Sequence, residues 1–401
     1  MSITFINRTL ELRVLNERYQ NGKAEFMVIY GRRRVGKTEI IKQFCKNKLH
    51  LYYLADKSNP QLQLQKIANM VAEKLEDRIP LITDWEDFFK YLSEKAEKRF
   101  IFVIDEFPYL IKAHPPITSL FQKGWDEHLK DTKVFFILCG SSVAMMKRKV
   151  LSYQSPLYGR RTGQLNIEPL SFKDSIKFFP NAELKQQINL FAIAGRIPFY
   201  LTELDQKKDV ITNIKDNVVR KDKILLEEPE FLLREELREP STYAKILEAI
   251  AQGAGKLNDI STRTGVEVYK LAKYLNVLME LNYVERITPV TITKAKSKIS
   301  LYRIKDVFFR FWYRFIFPIK SEIEMGELNR LSDNLKRDFS EYVGRIFEEI
   351  GSEAIKITYP NFTSVGRWWG HYRDEEGNRN EIEIDVCGIN EQTKEILFGE
   401  C

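Results

Sequence analysis

No apolar run in this chain of 401 residues is long enough to span a bilayer. Residues 1–8 lack the charged-then-apolar pattern of a secretory signal. Cysteine is scarce: Cys45, Cys139, Cys387 and Cys401 stand far apart, with no CxxC pair. That spacing argues against a disulfide scaffold or a structural zinc site, and it fits a reducing cytoplasm. Internal repeats and low-complexity tracts are missing too, which excludes solenoids and long linkers. The composition that remains is 44% hydrophobic and 30% charged, enough for real cores. A chain of this length suggests roughly two to four domains. The net charge of +7 permits nucleic-acid binding without demanding it.

Against this background one stretch stands out. Residues 31–38 read Gly-Arg-Arg-Arg-Val-Gly-Lys-Thr, the pattern GxxxxGK[ST]. An apolar run from Phe26 to Tyr30 precedes it and suits a buried strand; Glu39 to Lys46 follows with helical spacing. In this setting Gly31, Arg32, Arg33, Arg34, Val35 and Gly36 form a loop whose backbone N–H groups can curl around phosphate. Lys37 should reach the β- and γ-phosphates of ATP, and the Thr38 hydroxyl should ligate Mg²⁺. The helix N-terminus adds partial positive charge.

A second signal is the run Phe100 to Ile104 followed by Asp105 and Glu106. It reads as a central parallel strand ending at a site. Asp105 is placed to hold Mg²⁺ through water, and Glu106 to polarise the attacking water. Val134 to Leu138 is another buried strand, and Ser141 after it either senses the γ-phosphate or closes a turn. Arg160 and Arg161 follow a tight turn; they are candidates to neutralise the transferring phosphoryl, in cis or across a subunit interface. Asn7 and Arg8 precede an amphipathic helix with Leu10, Leu12 and Leu15. This segment either packs on the adenine or is a surface helix cap.

With these motifs in place, the chain resembles the archaeal-type ATPase family of P-loop proteins, in the signal-transduction branch of the AAA+-like ATPases. The matching stretches are residues 30–38, 102–110, 139–142, 156–162 and 194–201. The resemblance implies a parallel sheet flanked by helices, with the acidic strand beside the phosphate-loop strand. It carries Pro198 over as a nucleotide contact. Arg196 stands where the family usually has glycine.

The expected organisation is an α/β P-loop NTPase core over 1–170 and a helical lid and linker over 171–240. A winged helix over 241–305 and a partial α/β nuclease-like region over 306–401 follow. Residues 241–320 hold 14 Lys/Arg against 6 Asp/Glu, so the positive charge is concentrated there. Lys270, Lys273 and the loop lysines Lys294, Lys296 and Lys298 suit DNA phosphates; packing against protein is the competing reading. The aromatic run 306–318 reads as a buried helix between domains. The resemblance also extends to a restriction-nuclease-like region in which Glu348, Asp385 and Glu400 match metal-binding acids. A lysine directly after Cys401 would complete that motif, so a truncated chain is expected. A solvated acidic hairpin, or a degenerate nuclease fold kept for packing, is the alternative. The sequence therefore leads to an ATP- and Mg²⁺-dependent cytoplasmic ATPase with a DNA-binding module, no membrane contact and an open question of homo-oligomerisation. The competing readings are a nucleotide-stabilised DNA-binding regulator with little turnover, or an ATP-regulated nuclease when full length.

Overall fold

The computed structural model describes residues 5–78, 81–96, 98–292 and 299–401. The loop lysines Lys294, Lys296 and Lys298 lie outside the described residues. The chain divides into two compact units, Met1–Pro169 and Leu170–Cys401.

In the first unit five parallel strands form one sheet: β1 (Glu25–Tyr30), β2 (His50–Leu54), β3 (Ile101–Asp105), β4 (Phe135–Gly140) and β5 (Gly163–Asn166). Their order is β2-β3-β4-β1-β5. Every residue of β1, β3 and β4 is buried, which is why these strands are continuous apolar runs. The edge strands β2 and β5 alternate instead. One expectation is corrected here. The acidic strand β3 does not lie beside the phosphate-loop strand β1, because β4 sits between them. Six buried residues suit β4 to the middle of the sheet, where both neighbours and both faces are covered. Because all strands are parallel, the ends of β1, β3 and β4 still share one edge of the sheet.

Helices α1 (Thr9–Gln20), α2 (Lys37–Cys45), α3 (Pro60–Lys74) and α4 (Trp85–Lys95) carry sequence-legible starts. Asn59 and Asp84 cap α3 and α4 by accepting from backbone N–H groups. The core of the unit is aromatic. Phe102 and Phe136 stack at 5.3 Å, and Phe26 meets both Phe136 and Trp125. Helix Ile117–Gly124 presses close: a methyl at Gly124 would lie 2.2 Å from Phe89 Cδ2.

The second unit opens with the short helix Phe172–Ser175, followed by helices Leu184–Ala194, Pro198–Thr202 and Val210–Asn213. Helices Pro240–Ala251, Leu257–Thr264 and Val268–Glu280 come next, then the antiparallel pair β6 (Val284–Ile287) and β7 (Leu301–Ile304). Gly265, in the left-handed region, ends the middle helix. The aromatic run that follows is buried: Phe308, Phe309, Phe311, Trp312 and Tyr313 are all inaccessible. Trp312 Nε1 donates to the Leu226 carbonyl at 3.0 Å. A helix of 30 residues, Asn329–Thr358, leads to a sheet ordered β10-β9-β8: β8 (Ser364–Arg373), β9 (Arg379–Asn390) and β10 (Glu395–Gly399). The chain reverses at 391–394, between the end of β9 at Asn390 and the start of β10 at Glu395.

An ion network knits this unit together. Glu349 receives Arg303 at 2.8 Å and also Arg310. Arg303 reaches Glu285 at 2.6 Å. Arg196, which replaces the expected glycine, bonds Glu353 at 2.7 Å and the Leu170 carbonyl at 3.2 Å. Burial pushes the Glu349 carboxyl up, but Arg310 and Arg303 outweigh it and hold the carboxyl below its ordinary value.

Two outcomes follow. Gly124→Ala overpacks the ring of Phe89 and should cost about 1–3 kcal/mol in urea unfolding. Glu349→Gln leaves two guanidinium groups short of a charge and should cost roughly 3 kcal/mol at neutral pH. A depressed folded pKa gives stability that is complete above the unfolded value and is lost as pH falls through the folded one. Wild type should therefore weaken below pH 4.5 more steeply than the variant.

Candidate active site

The phosphate loop joins β1 to α2. Gly31 has φ +154°, and a Cβ there would sit 2.4 Å from the Ile167 carbonyl oxygen. Gly36 has φ +95° and open space around it, so its requirement is conformational. Arg34, at φ +66°, takes the same left-handed region without being glycine. The Lys37 ammonium is buried and donates to the Gly31 carbonyl at 2.9 Å and the Arg32 carbonyl at 2.8 Å. Burial lowers its pKa; Cys139, Glu106 and Asp105 pull the other way.

The loop and the acidic strand meet across the end of β4. Thr38 Oγ1 donates to Asp105 Oδ2 at 3.0 Å. Tyr52, from β2, donates its hydroxyl to the same oxygen. The Glu106 backbone N–H donates to Asp105 Oδ1 at 2.8 Å. Burial, then the Asp105 charge, push the Tyr52 hydroxyl well above the ordinary phenol range. The same two causes raise the Cys139 thiol. Glu106 turns away from its strand at φ +54°, and its Oε2 accepts from Ser141 Oγ at 2.8 Å. The hydroxyl after β4 therefore lies on the acid expected to orient water. Arg33 donates to the Tyr109 hydroxyl at 3.2 Å, on the helix Phe107–Ala113 that starts directly after Glu106.

Arg8 backs the loop from below. It is buried, and one terminal nitrogen donates to the Val35 carbonyl at 2.9 Å and the Glu168 carbonyl at 2.8 Å. The other pairs with Glu11 at 3.0 Å. Arg8 thus props the loop backbone, whereas the exposed Asn7 accepts from Thr9 at 3.2 Å. Arg32 is buried within the loop. Pro198 belongs to the second unit, at the first turn of helix Pro198–Thr202.

Arg160 and Arg161 are not brought to this edge. β5 is parallel to β1 and starts with Gly163 opposite Met27, so both arginines precede the far end of the strand. Arg160 forks onto Asp126 at 3.0 and 3.1 Å. Arg161 reaches the Leu151 carbonyl at 3.4 Å and lies 5.0 Å over the Tyr158 ring. Both side chains are thus engaged outside the loop in this structure.

The C-terminal acids are neighbours but not a cage. Burial and the Asp385 charge raise the Glu348 carboxyl, while Arg367, at 3.1 Å, draws it down. Asp385 Oδ2 accepts from the Cys401 backbone N–H at 3.0 Å. Among the described residues, the one trio with metal-ligand spacing is Glu86, Glu127 and His128, and Lys123 already salt-bridges Glu86 at 2.7 Å.

The residues present fit a nucleotide polyphosphate and a magnesium ion. The loop turns through positive φ at Gly31, Arg34 and Gly36, and it carries the buried Lys37 ammonium. Thr38 and Asp105 supply the oxygen donors that a hard cation takes. Sequence reasoning missed Tyr52, Tyr109 and Cys139, because nothing local ties a strand tyrosine to an acid 53 residues on.

Comparison with known proteins agrees with this geometry. Residues 5–204 match an ATPase domain described as predominantly from Archaea. Residues 312–401 match a domain of archaeal and bacterial proteins of unknown function. An uncharacterized protein of Methanocaldococcus jannaschii is 40% identical over 402 residues, covering 99% of this chain and 87% of its own length. An uncharacterized ATP-binding protein of the same organism is 48% identical over 46 residues, covering 12% of this chain and 78% of that protein. A Walker-type ATPase of Pyrococcus abyssi shares the fold at TM-score 0.56 and 20% identity, over 77% of this chain and 96% of that one. The chain is an ATP-hydrolysing P-loop protein, and it belongs to the family in which this mainly archaeal ATPase domain precedes that C-terminal domain of unknown function.

Proposed function

We propose that ATP hydrolysis at this site, with Mg²⁺, drives a nucleotide-dependent switch whose output is a winged-helix module that grips DNA through its phosphates. The observation that carries the catalytic half is the paired arrangement Thr38–Asp105 and Ser141–Glu106 at one sheet edge. Lys37 exchanges the Gly31 and Arg32 carbonyls for β- and γ-phosphate oxygens. The first turn of α2 directs its free N–H groups at the same phosphates. Thr38 and Asp105 hold the metal, which when bound spreads the charge developing on the phosphoryl oxygens. Glu106 orients a water and accepts its proton at a carboxylate oxygen, with Ser141 fixing the rotation of that carboxylate. Arg160 and Arg161 act, in this reading, only on the nucleotide of a second copy.

Three features support the DNA half. Residues 241–320 concentrate the positive charge. Tyr269, Lys270 and Lys273 are exposed on the helix Val268–Glu280, and Arg263 is exposed on the helix before it. Leu271, Leu275 and Leu278 on the opposite face fill the core. Lys270 now pairs with Glu267 at 2.8 Å, a surface bond that a phosphate can replace at little cost. A second metal centre at Glu348, Asp385 and Glu400 draws no support from the geometry, because Arg367 and the Cys401 N–H already engage two of the acids.

Lys37→Ala should abolish ATP binding measured by calorimetry. Glu106→Gln should bind ATP normally and lose turnover by at least about 100-fold. Wild-type turnover in Glu106→Gln would overturn the water-orienting role. For the module, Lys270→Ala/Lys273→Ala should weaken duplex DNA binding and flatten the log–log salt dependence by about 2, leaving ATPase activity intact. An unchanged slope would assign this face to protein packing.

A further inference from the structure

We propose that the Tyr52 hydroxyl is a placeholder on Asp105, occupying the acceptor position that a magnesium-bound water takes when the metal enters. The inference rests on the ATP·Mg²⁺ reading above and adds a residue to it.

The argument begins with lone pairs. An ionised carboxylate only accepts, and it offers about four sites. Asp105 is 3% exposed, so bulk water fills few of them. Oδ1 accepts the Glu106 N–H at 2.8 Å. Oδ2 accepts Thr38 Oγ1 at 3.0 Å and the Tyr52 hydroxyl. Both acceptor sites of Oδ2, the oxygen that faces Thr38, are therefore taken before any metal arrives.

A metal that Thr38 and Asp105 would hold needs one of those Oδ2 positions back. Two of the three donors cannot leave. The Glu106 N–H belongs to the backbone that carries the acid. The Thr38 proton stays on Asp105 while its oxygen turns a lone pair to the metal. Tyr52 differs. It comes from the edge strand β2 and is only partly buried, so its ring can tilt and carry the hydroxyl off the carboxylate. Until then its bond keeps a buried negative charge satisfied.

A bond present in the metal-free state and absent in the metal-bound state fixes the sign of the effect. Deleting it weakens only the metal-free state, so linkage makes the metal bind more tightly. A tyrosine that merely shaped the site would give the opposite sign or none.

The test is Tyr52→Phe, which keeps the ring and removes the hydroxyl. Mg²⁺ is titrated at fixed concentration of a fluorescent ATP analogue, with binding as the readout. The half-saturating Mg²⁺ should fall about tenfold, the size of one charge-assisted hydrogen bond. Analogue affinity in EDTA should match wild type. The melting temperature of the metal-free variant should lie below wild type, and the gap should close with ATP·Mg²⁺. An unchanged or raised half-saturation overturns the proposal while leaving the ATP site standing. Loss of binding in EDTA also overturns it, by showing a structural role. Failure of wild type to bind ATP·Mg²⁺ at all would overturn the site reading itself, and the proposal with it.

Discussion

The hydrogen bond from Thr38 to Asp105 spans two strands that are not neighbours. Everything else in the first unit serves that span. β4 must end in a position narrow enough for the two sides to meet over it. Gly140 supplies this: a Cβ there would lie 2.6 Å from Met146 Sδ and 2.8 Å from Pro108 Cδ. The fully buried strands fix the heights of the loop and the acid to within a residue of each other, since Val28 and Ile104 both pair with Leu138. Small errors in register would separate Thr38 from Asp105 by a strand repeat, about 3.3 Å. The aromatic stacking beneath the sheet is what resists such errors.

Much of this was readable from the residues. Continuous apolar runs gave β1, β3 and β4, and GxxxxGK[ST] placed the loop. The strand order was not readable, because sequence adjacency says nothing about which parallel strand inserts between two others. That is how β3 came to be expected beside β1. The side of the sheet occupied by Arg160 and Arg161 was within reach: a residue before a parallel strand lies opposite a residue after one. β8 escaped because Gly366, Trp368, Trp369 and Gly370 break any alternation, and a bulge between Gly366 and Trp368 shifts the register. Tyr52 escaped because its partner is distant in sequence.

Charge counting was informative but overstated. The basic excess over 241–320 is real, yet several of its members face inward. Arg303 and Arg310 converge on Glu349, and Lys320 bonds Glu230 at 2.6 Å. Arg314 bonds the Gln252 side chain at 2.9 Å. These cations hold the aromatic helix against its neighbours. Among the described residues, the exposed basic set is thus smaller than the count suggests, and it includes Lys270 and Lys273 on the helix Val268–Glu280. Arg196 follows the same rule: a departure from the family pattern at one glycine has become a rivet between the segment after Leu170 and the long helix.

The Lys37 ammonium is not a bare cation waiting for a counter-ion. Two of its three donors already point at carbonyls of its own loop. An anion entering the loop therefore replaces bonds rather than creating them, and its affinity is the difference between two satisfied states. A small monoanion offers little more than the carbonyls it displaces. A polyphosphate chain long enough to meet the ammonium and the helix N-terminus together gains on both. The loop's own backbone thus acts as a resident competitor, and sets a threshold that favours an anion able to make several bonds at once.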